Sequence, residues 1–481
     1  MRGSRQKRGH ARSRGSRVSF EIIACEPLNS AGPASSSPGG LALDLVLALL
    51  ILFIGARLAG EAMEQVGQSP MIGEVLAGIL LGPTVLGVID PNPVLQPGAS
   101  LAVVSTLGVL VLVLLAGMEL SREGLRQAIR ERSILVAFVE FALPFALGYS
   151  LAAALGMSFP QSLFLGTALA VTALPISVRI LMDLNLLHSR VGRAIVSVAL
   201  ANDLIAFAML GLILEFVRVG TTTLDSWVLI WAVVKNVLFL GLVLCVSVAL
   251  KFAMRIAPSG VPYFQALLEK LKGSEGGMAT SIIIALSLGV AAEAVGIHFA
   301  VGVFYGGALI TPKLMGQERF VRIRSAVQTV TFGLFGPIFF GFVGLTFSLA
   351  LGAWPIIVLI VSVAFFGKFF GGVLGGLFAG FRGRPLLALG FGLNARGMME
   401  LLLAQVGLST GIISRDIYSA LVVMTLITTL STPPLMKRAL RGFTARDILP
   451  EVVLQAQEPA GLSSNLFATP ASRTSTAPKK I

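Results

Sequence analysis

The sequence predicts an all-α polytopic membrane protein of about 13 transmembrane helices, and three observations carry that prediction. Of 481 residues, 55% are hydrophobic and only 13% charged, with a mean hydropathy of +0.87; that is more apolar surface than one soluble core of this length could hide. Apolar runs long enough to cross ~30 Å of hydrocarbon recur thirteen times. The basic residues between those runs fall into alternate loops.

The spans are read as 41–60, 71–90, 101–119, 133–156, 160–183, 191–217, 226–250, 278–295, 297–312, 327–349, 354–381, 385–408 and 415–436. Connections after odd-numbered spans carry Arg57; Arg122, Arg126, Arg130 and Arg132; Arg190 and Arg193; Lys251, Arg255, Lys270 and Lys272; Lys313, Arg319, Arg322 and Arg324; Arg382 and Arg384; then Lys437, Arg438 and Arg441. Connections after even-numbered spans carry only Arg218 and Arg415. By the positive-inside rule the odd loops and the C-terminus are cytoplasmic and the N-terminus is outside. One missed span would reverse the parity of every later loop, so the asymmetry also supports the count.

Residues 1–40 run against this rule. They hold seven Lys/Arg from Arg2 to Arg17 and then SAGPASSSPGG, a composition that predicts a disordered basic tail. A misassigned start codon, a tail outvoted by downstream charge, and a contact with anionic lipid are the readings open; no apolar core of a signal peptide precedes residue 41. Residues 442–481 read as a second disordered tail. Cys25 and Cys245 lie far apart with no ligand spacing, so neither a disulfide framework nor a metal site is expected.

Two spans contain breakers at their middles. The fifth, FLGTALAVTALPISVRILMDL, has Thr172 and Pro175; the twelfth, LLALGFGLNARGMMELLLAQ, has Gly392, Asn394 and Gly397. Pro removes a helical hydrogen bond and Gly weakens the helix. The spans run in opposite directions and, at 1.5 Å per residue, both breaks fall near the midplane. That arrangement predicts inverted repeats with two broken, crossing helices, as in secondary transporters whose half-helix ends handle ions.

Ionisable residues converge on the same depth. Asn202 and Asp203 interrupt VALANDLIAFAMLGLILEF in span six, Lys368 sits in FFGKFFGG of span eleven, and Arg396 occupies the break of span twelve. Glu293 and His298 lie in EAVGIH between spans eight and nine, and Glu400 follows Arg396. A charged group at bilayer depth costs several kcal/mol unless paired or wetted, so each is a functional candidate. Glu74 and Glu140 read as structural, and Lys235 has no assigned role.

TALPISVRILMDL followed by Asn202-Asp203 resembles the core of the second large family of monovalent cation:proton antiporters, which spans bacterial exchangers and plant cation/proton exchangers. GQSPMIGEVLAGILLGP at 68–83, LGVLVLVLLAGMEL at 107–120, EAVGIHFAVGVFYGG at 293–307, GKFFGG at 367–372 and LNARGMMELLL at 393–403 extend the resemblance over nearly all of 41–440, and the set is most similar to the plant-type branch. The resemblance implies an exchanger domain over 41–440. Its dimerisation part would be 41–120 and 278–349, its moving core 133–217 and 354–436, and its linker helix 226–250. A homodimer in a bacterial inner membrane is implied with it.

The expected activity is exchange of Na+ or K+ for H+, with a slight tilt toward potassium, through competition of cation and proton for Asp203. Asn202, Thr172 and the carbonyls around Ala173 and Leu174 are the expected ion ligands, since alkali ions prefer hard oxygen donors. Lys368 is expected to compensate Asp203, and Arg396 to compensate Glu293 or Glu400, with Glu293, His298 and Glu400 as possible coupling residues. Many electrogenic relatives have two adjacent aspartates; an amide at 202 carries no proton, which predicts electroneutral exchange. No cofactor, no resident metal and no nucleic-acid partner is expected. A cation channel or uniporter on the same scaffold is one alternative, and a gated potassium efflux system with a separate regulatory subunit is another. An intramembrane enzyme is disfavoured: no G-x-S-x-G or H-E-x-x-H pattern occurs, and His10, His188 and His298 are scattered.

Overall fold

A computed structural model describes residues 38–90, 101–120, 133–255 apart from 185 and 188, 276–348, 352 and 354–441. Residues 1–37 and 442–481 of the two expected tails, with Cys25, His10 and His188, therefore lie outside the described residues, whereas Pro38 to Gly40, expected in the first tail, are helical. Among the described residues all regular structure is helical. The helices are α1 (Pro38–Gln65), α2 (Pro70–Leu81), α3 (Leu101–Glu119), α4 (Ser133–Ala154), α5 (Phe159–Ala170), α6 (Leu174–Asp183), α7 (Arg190–Val219), α8 (Ser226–Arg255), α9 (Gly276–Val295), α10 (Phe299–Leu309), the single turn α11 (Pro312–Met315), α12 (Gln317–Thr346), α13 (Trp354–Phe378), α14 (Gly383–Gly392), α15 (Met398–Ser409) and α16 (Arg415–Ala439). Nine of them are long and apolar enough to cross a membrane, and α2, α10 and α15 are shorter apolar helices.

Several expected boundaries move, the first span to Pro38–Gln65 and the seventh to Ser226–Arg255 among them, and three have a local cause. The run 71–90 is helical only to Leu81, because Gly82 and Pro83 close the helix. The run 297–312 yields the eleven residues of α10, entered through a His298 cap. The run 327–349 begins ten residues early, because the amphipathic stretch QERFVRIRSAVQTV continues into the apolar one through a π-turn at Thr331–Phe335.

Both expected breaks are present. The chain is extended at Val171 and Ala173 between α5 and α6, and Pro175 stands in the first turn of α6, where its missing N–H costs nothing. Leu393 to Gly397 separate α14 from α15.

Helix packing falls into two groups. One gathers α4 to α7 with α13 to α16; the other gathers α1, α2, α3, α9, α10 and α12. Within the first, α13 lies directly against the backbone of α4. Gly367, Gly371 and Gly375 face Pro144, Glu140 and Val136, and a Cβ on any of the three would stand 3.2, 3.1 or 2.9 Å from the facing Cα. Small residues at a four-residue repeat let backbones approach this closely.

Two apolar clusters fill this group. The helix α7 contributes Val191 to Ala201 to one and Ala206 to Ile213 to the other; α4 contributes Val136 and Ala137 to one and Ala152 to the other; α13 contributes Ile357 to Ala364 to the second, and Ala379, just past its C-terminal end, belongs to the first. The residues left between them are polar: Glu140, Asn202, Asp203 and Lys368. The hydrophobic core is thus split by a buried polar layer at the level of the helix breaks.

Candidate functional site

The two breaks cross and are tied at the backbone. The N–H of Ala173 donates to the carbonyl of Ala395 at 3.0 Å, and the hydroxyl of Thr172 lies 3.3 Å from the carbonyl of Leu393. Gly397 permits the crossing, since a Cβ there would sit 2.4 Å from Cδ1 of Ile176 and 2.9 Å from Cβ of Ala173.

Ending α5 at Ala170 leaves its last carbonyls without helical donors. Two buried bases supply them. Arg396 donates to the carbonyls of Ala168 at 3.0 Å and Leu169 at 2.6 Å, and Lys368 donates to the carbonyl of Ala170. Positive charge at a helix C-terminus is also the favourable sign for the helix dipole. The carbonyls released by the break are therefore one turn earlier than expected. That of Ala173 accepts the N–H of Ser177 at 3.2 Å, and Leu174 opens α6.

Each base also has a carboxylate. Lys368 forms its ion pair with Glu140, both fully buried, in place of the expected Asp203. Arg396 pairs with Glu400 at 3.1 Å, one turn on. Burying a charge demands such a partner, so these pairs account for four of the five buried charged groups at the crossing among the described residues, Glu140, Lys368, Arg396 and Glu400.

The fifth is Asp203. It is 3% exposed, and its Oδ1 has no hydrogen-bond partner. The neighbouring Asn202 is fully buried, and its Nδ2 donates to Oε2 of Glu140 at 2.8 Å and to the hydroxyl of Thr172 at 3.1 Å. Its Oδ1, like that of Asp203, is left unpartnered. Two consecutive residues of α7 thus each hold a buried acceptor oxygen with no donor, an arrangement suited to a cation or a proton.

Glu293 and His298 are placed apart from this layer, at the turn between α9 and α10. Glu293 is exposed and accepts the N–H of Phe299 at 3.0 Å, and His298 accepts that of Ala300 at 3.3 Å. Glu140 is the residue that sequence reading assigned no function and the structure puts at the centre. Lys235, left without a role, pairs with buried Glu215 at 2.7 Å between α8 and α7.

A family profile described as the transmembrane region of sodium/hydrogen exchangers matches residues 46–438. The chain belongs to the sodium/hydrogen exchanger family. Within it, this exchanger is 29% identical over 392 residues to the Na(+)/H(+)-K(+) antiporter GerN of Bacillus cereus, covering 81% of this chain and 94% of that one. It is 31% identical to the Na(+)/H(+) antiporter NhaS4 of Synechocystis sp., covering 82% and 97%. It is also 31% identical to Cation/H(+) antiporter 17 of Arabidopsis thaliana, of which it spans about half, 48%. The exchanger fold is shared with the sodium proton antiporter MjNhaP1 from Methanocaldococcus jannaschii, at a TM-score of 0.64, 14% identity and coverage of 84% and 98%. Family and apolar helices together make the chain a multi-pass integral membrane protein.

Proposed function

We propose that the protein is a secondary antiporter that exchanges one monovalent cation, K+ or Na+, for one proton, with both competing for Asp203. The observation that carries this reading is the charge arrangement of the buried layer. Lys368 neutralises Glu140 and Arg396 neutralises Glu400, so among the described residues Asp203 is the single uncompensated charge at the helix crossing. One carboxylate holds a dehydrated monovalent cation or a proton and never both, which couples the two fluxes one for one. The relatives named as Na(+)/H(+), Na(+)/H(+)-K(+) and Cation/H(+) antiporters support the substrate class.

The second group of helices would form the dimerisation part, 41–120 and 278–349. The first would form the moving core, 133–217 and 354–436, with 226–250 as linker helix. The separate packing of the two groups supports that division. A homodimer in a bacterial inner membrane, with room for a separate regulatory subunit, completes the reading.

The test is cation-driven proton movement in proteoliposomes with a pH dye inside and ionophores shunting diffusion potentials. Potassium and sodium each dissipate or fail to dissipate a pH gradient, and the better one names the substrate; Asp203→Asn is expected to abolish the signal while folding normally. Cation tracer that crosses with no pH change would mean a channel or uniporter on this scaffold.

A further inference from the structure

We infer that Glu140 is a positioning residue of the ion site: its carboxylate fixes the side-chain amide of Asn202 so that Oδ1 faces the site. The inference rests on the proposed competition at Asp203 and adds the reason a neutral neighbour serves cation binding.

An asparagine amide has two orientations of similar shape, and its hydrogen-bond partners decide between them. Here both amide hydrogens of Asn202 are spent, one on Oε2 of Glu140 at 2.8 Å and one on the hydroxyl of Thr172 at 3.1 Å. The Thr172 hydroxyl in turn lies 3.0 Å from Oε1 of Glu140, its donor turned toward that carboxylate and its lone pair toward Asn202. Glu140 is the anchor of this set because an ionised carboxylate only accepts, and Lys368 stands against it as the counter-charge. Flipping the amide would set Oδ1 of Asn202 against that carboxylate and turn N–H groups toward the cation, which repels both ways. Glu140 therefore holds an unpartnered carbonyl-type oxygen on the residue that precedes Asp203, a hard neutral donor for an alkali ion.

Glutamine at 140 reverses this bias. With its oxygen held on the side of Lys368 and Thr172, the glutamine amide turns its NH2 toward Asn202 and donates to Oδ1, so the flipped orientation becomes the favoured one and the cation loses a preset ligand. Lys368 would also be left without its counter-charge, so the charge-neutral replacement Glu140→Gln with Lys368→Met is made alongside.

The experiment is a titration of the full-length protein in detergent with potassium chloride or sodium chloride at fixed pH, following proton release, with choline chloride as the control. Asn202→Ala and Glu140→Gln are each expected to raise the half-saturating cation concentration about tenfold, the scale of one hydrogen-bond-like contact to a charged group. Because Glu140 acts through Asn202, the double variant is expected to stay near tenfold. Likewise, adding Asn202→Ala to the Glu140→Gln, Lys368→Met pair is expected to change nothing further. A purely structural Glu140 lowers the melting temperature without producing this non-additivity. A hundredfold rise in the double variant, or an unchanged half-saturation in Glu140→Gln, overturns the inference. Failure of the underlying reading looks different: wild type releases no proton with either salt, or Asp203→Asn releases as many as wild type.

Discussion

The backbone N–H of Ala173 donates to the carbonyl oxygen of Ala395 at 3.0 Å, so the two interrupted helices hold each other at their centres. This contact exists only because position 397 has no side chain: a Cβ there would meet Ile176 at 2.4 Å. Gly397→Val is expected to cost about 1–3 kcal/mol of stability through overpacking and to abolish exchange. Adding Ile176→Ala is expected to recover part of both. Thermal melting in detergent and the proteoliposome assay check the pair; an active, undisturbed Gly397→Val would mean that the breaks need not touch.

The proposed competition at Asp203 gives a definite sign to the expected pH dependence. Protons would win as pH falls, so exchange is expected to be lost on the acid side. A tenfold higher cation concentration is expected to move that acid midpoint down by about one pH unit, as linkage between two ligands of one site requires. Rates measured against pH at two cation concentrations decide it, and a midpoint that stays in place argues for separate sites.

Lys368→Met leaves Glu140 buried without a counter-charge, a loss on the order of 3–5 kcal/mol. Because Glu140 and Lys368 are both fully buried, restoring neutrality with Glu140→Gln is expected to return most of that stability. Melting temperatures of the two single variants and the double variant test this; equal losses in Lys368→Met and the double variant would show that packing, not charge, sets the cost.

The ion pair between Arg179 of α6 and Glu64 of α1, at 2.7 Å, joins the two packing groups with both side chains 39–48% exposed. Removing it with Glu64→Gln is expected to change stability by less than about 1 kcal/mol. A cysteine pair at the two positions, joined by a reducible bifunctional thiol reagent long enough to span the former ion pair, is expected to stop exchange, and reduction to restore it. Exchange that survives full cross-linking would show that these helices do not separate during transport.

Much of this architecture was legible in the sequence because membrane crossing imposes a coarse constraint. Each apolar run must be long enough, and each loop must carry the sign of charge its side allows. The breaks were legible too, since Pro175, Gly392 and Gly397 act on their own helices. Partner choice was not. Lys368 and Glu140 lie 228 positions apart, and Asp203 was an equally plausible counter-ion at the same depth. A signal existed in Gly367, Gly371 and Gly375: their repeat beside Lys368 demands a close helix on that face, and a buried lysine there needs a carboxylate from it. Glu140, alone in SILVAFVEFALPFALG, carried no local mark of its role. The capping of α5 by Arg396 was equally hidden, because it depends on where the chain stops being helical.

The glycine ladder between α4 and α13 also makes the pair a molecular ruler. Backbones in contact have no side-chain rotamers to rearrange between them, so spin labels on the outer faces of these two helices should report one fixed separation in every state of the protein. Any change of distance seen from α13 to α1 can then be read as displacement of a rigid body, with Glu140 and Lys368 travelling on it together.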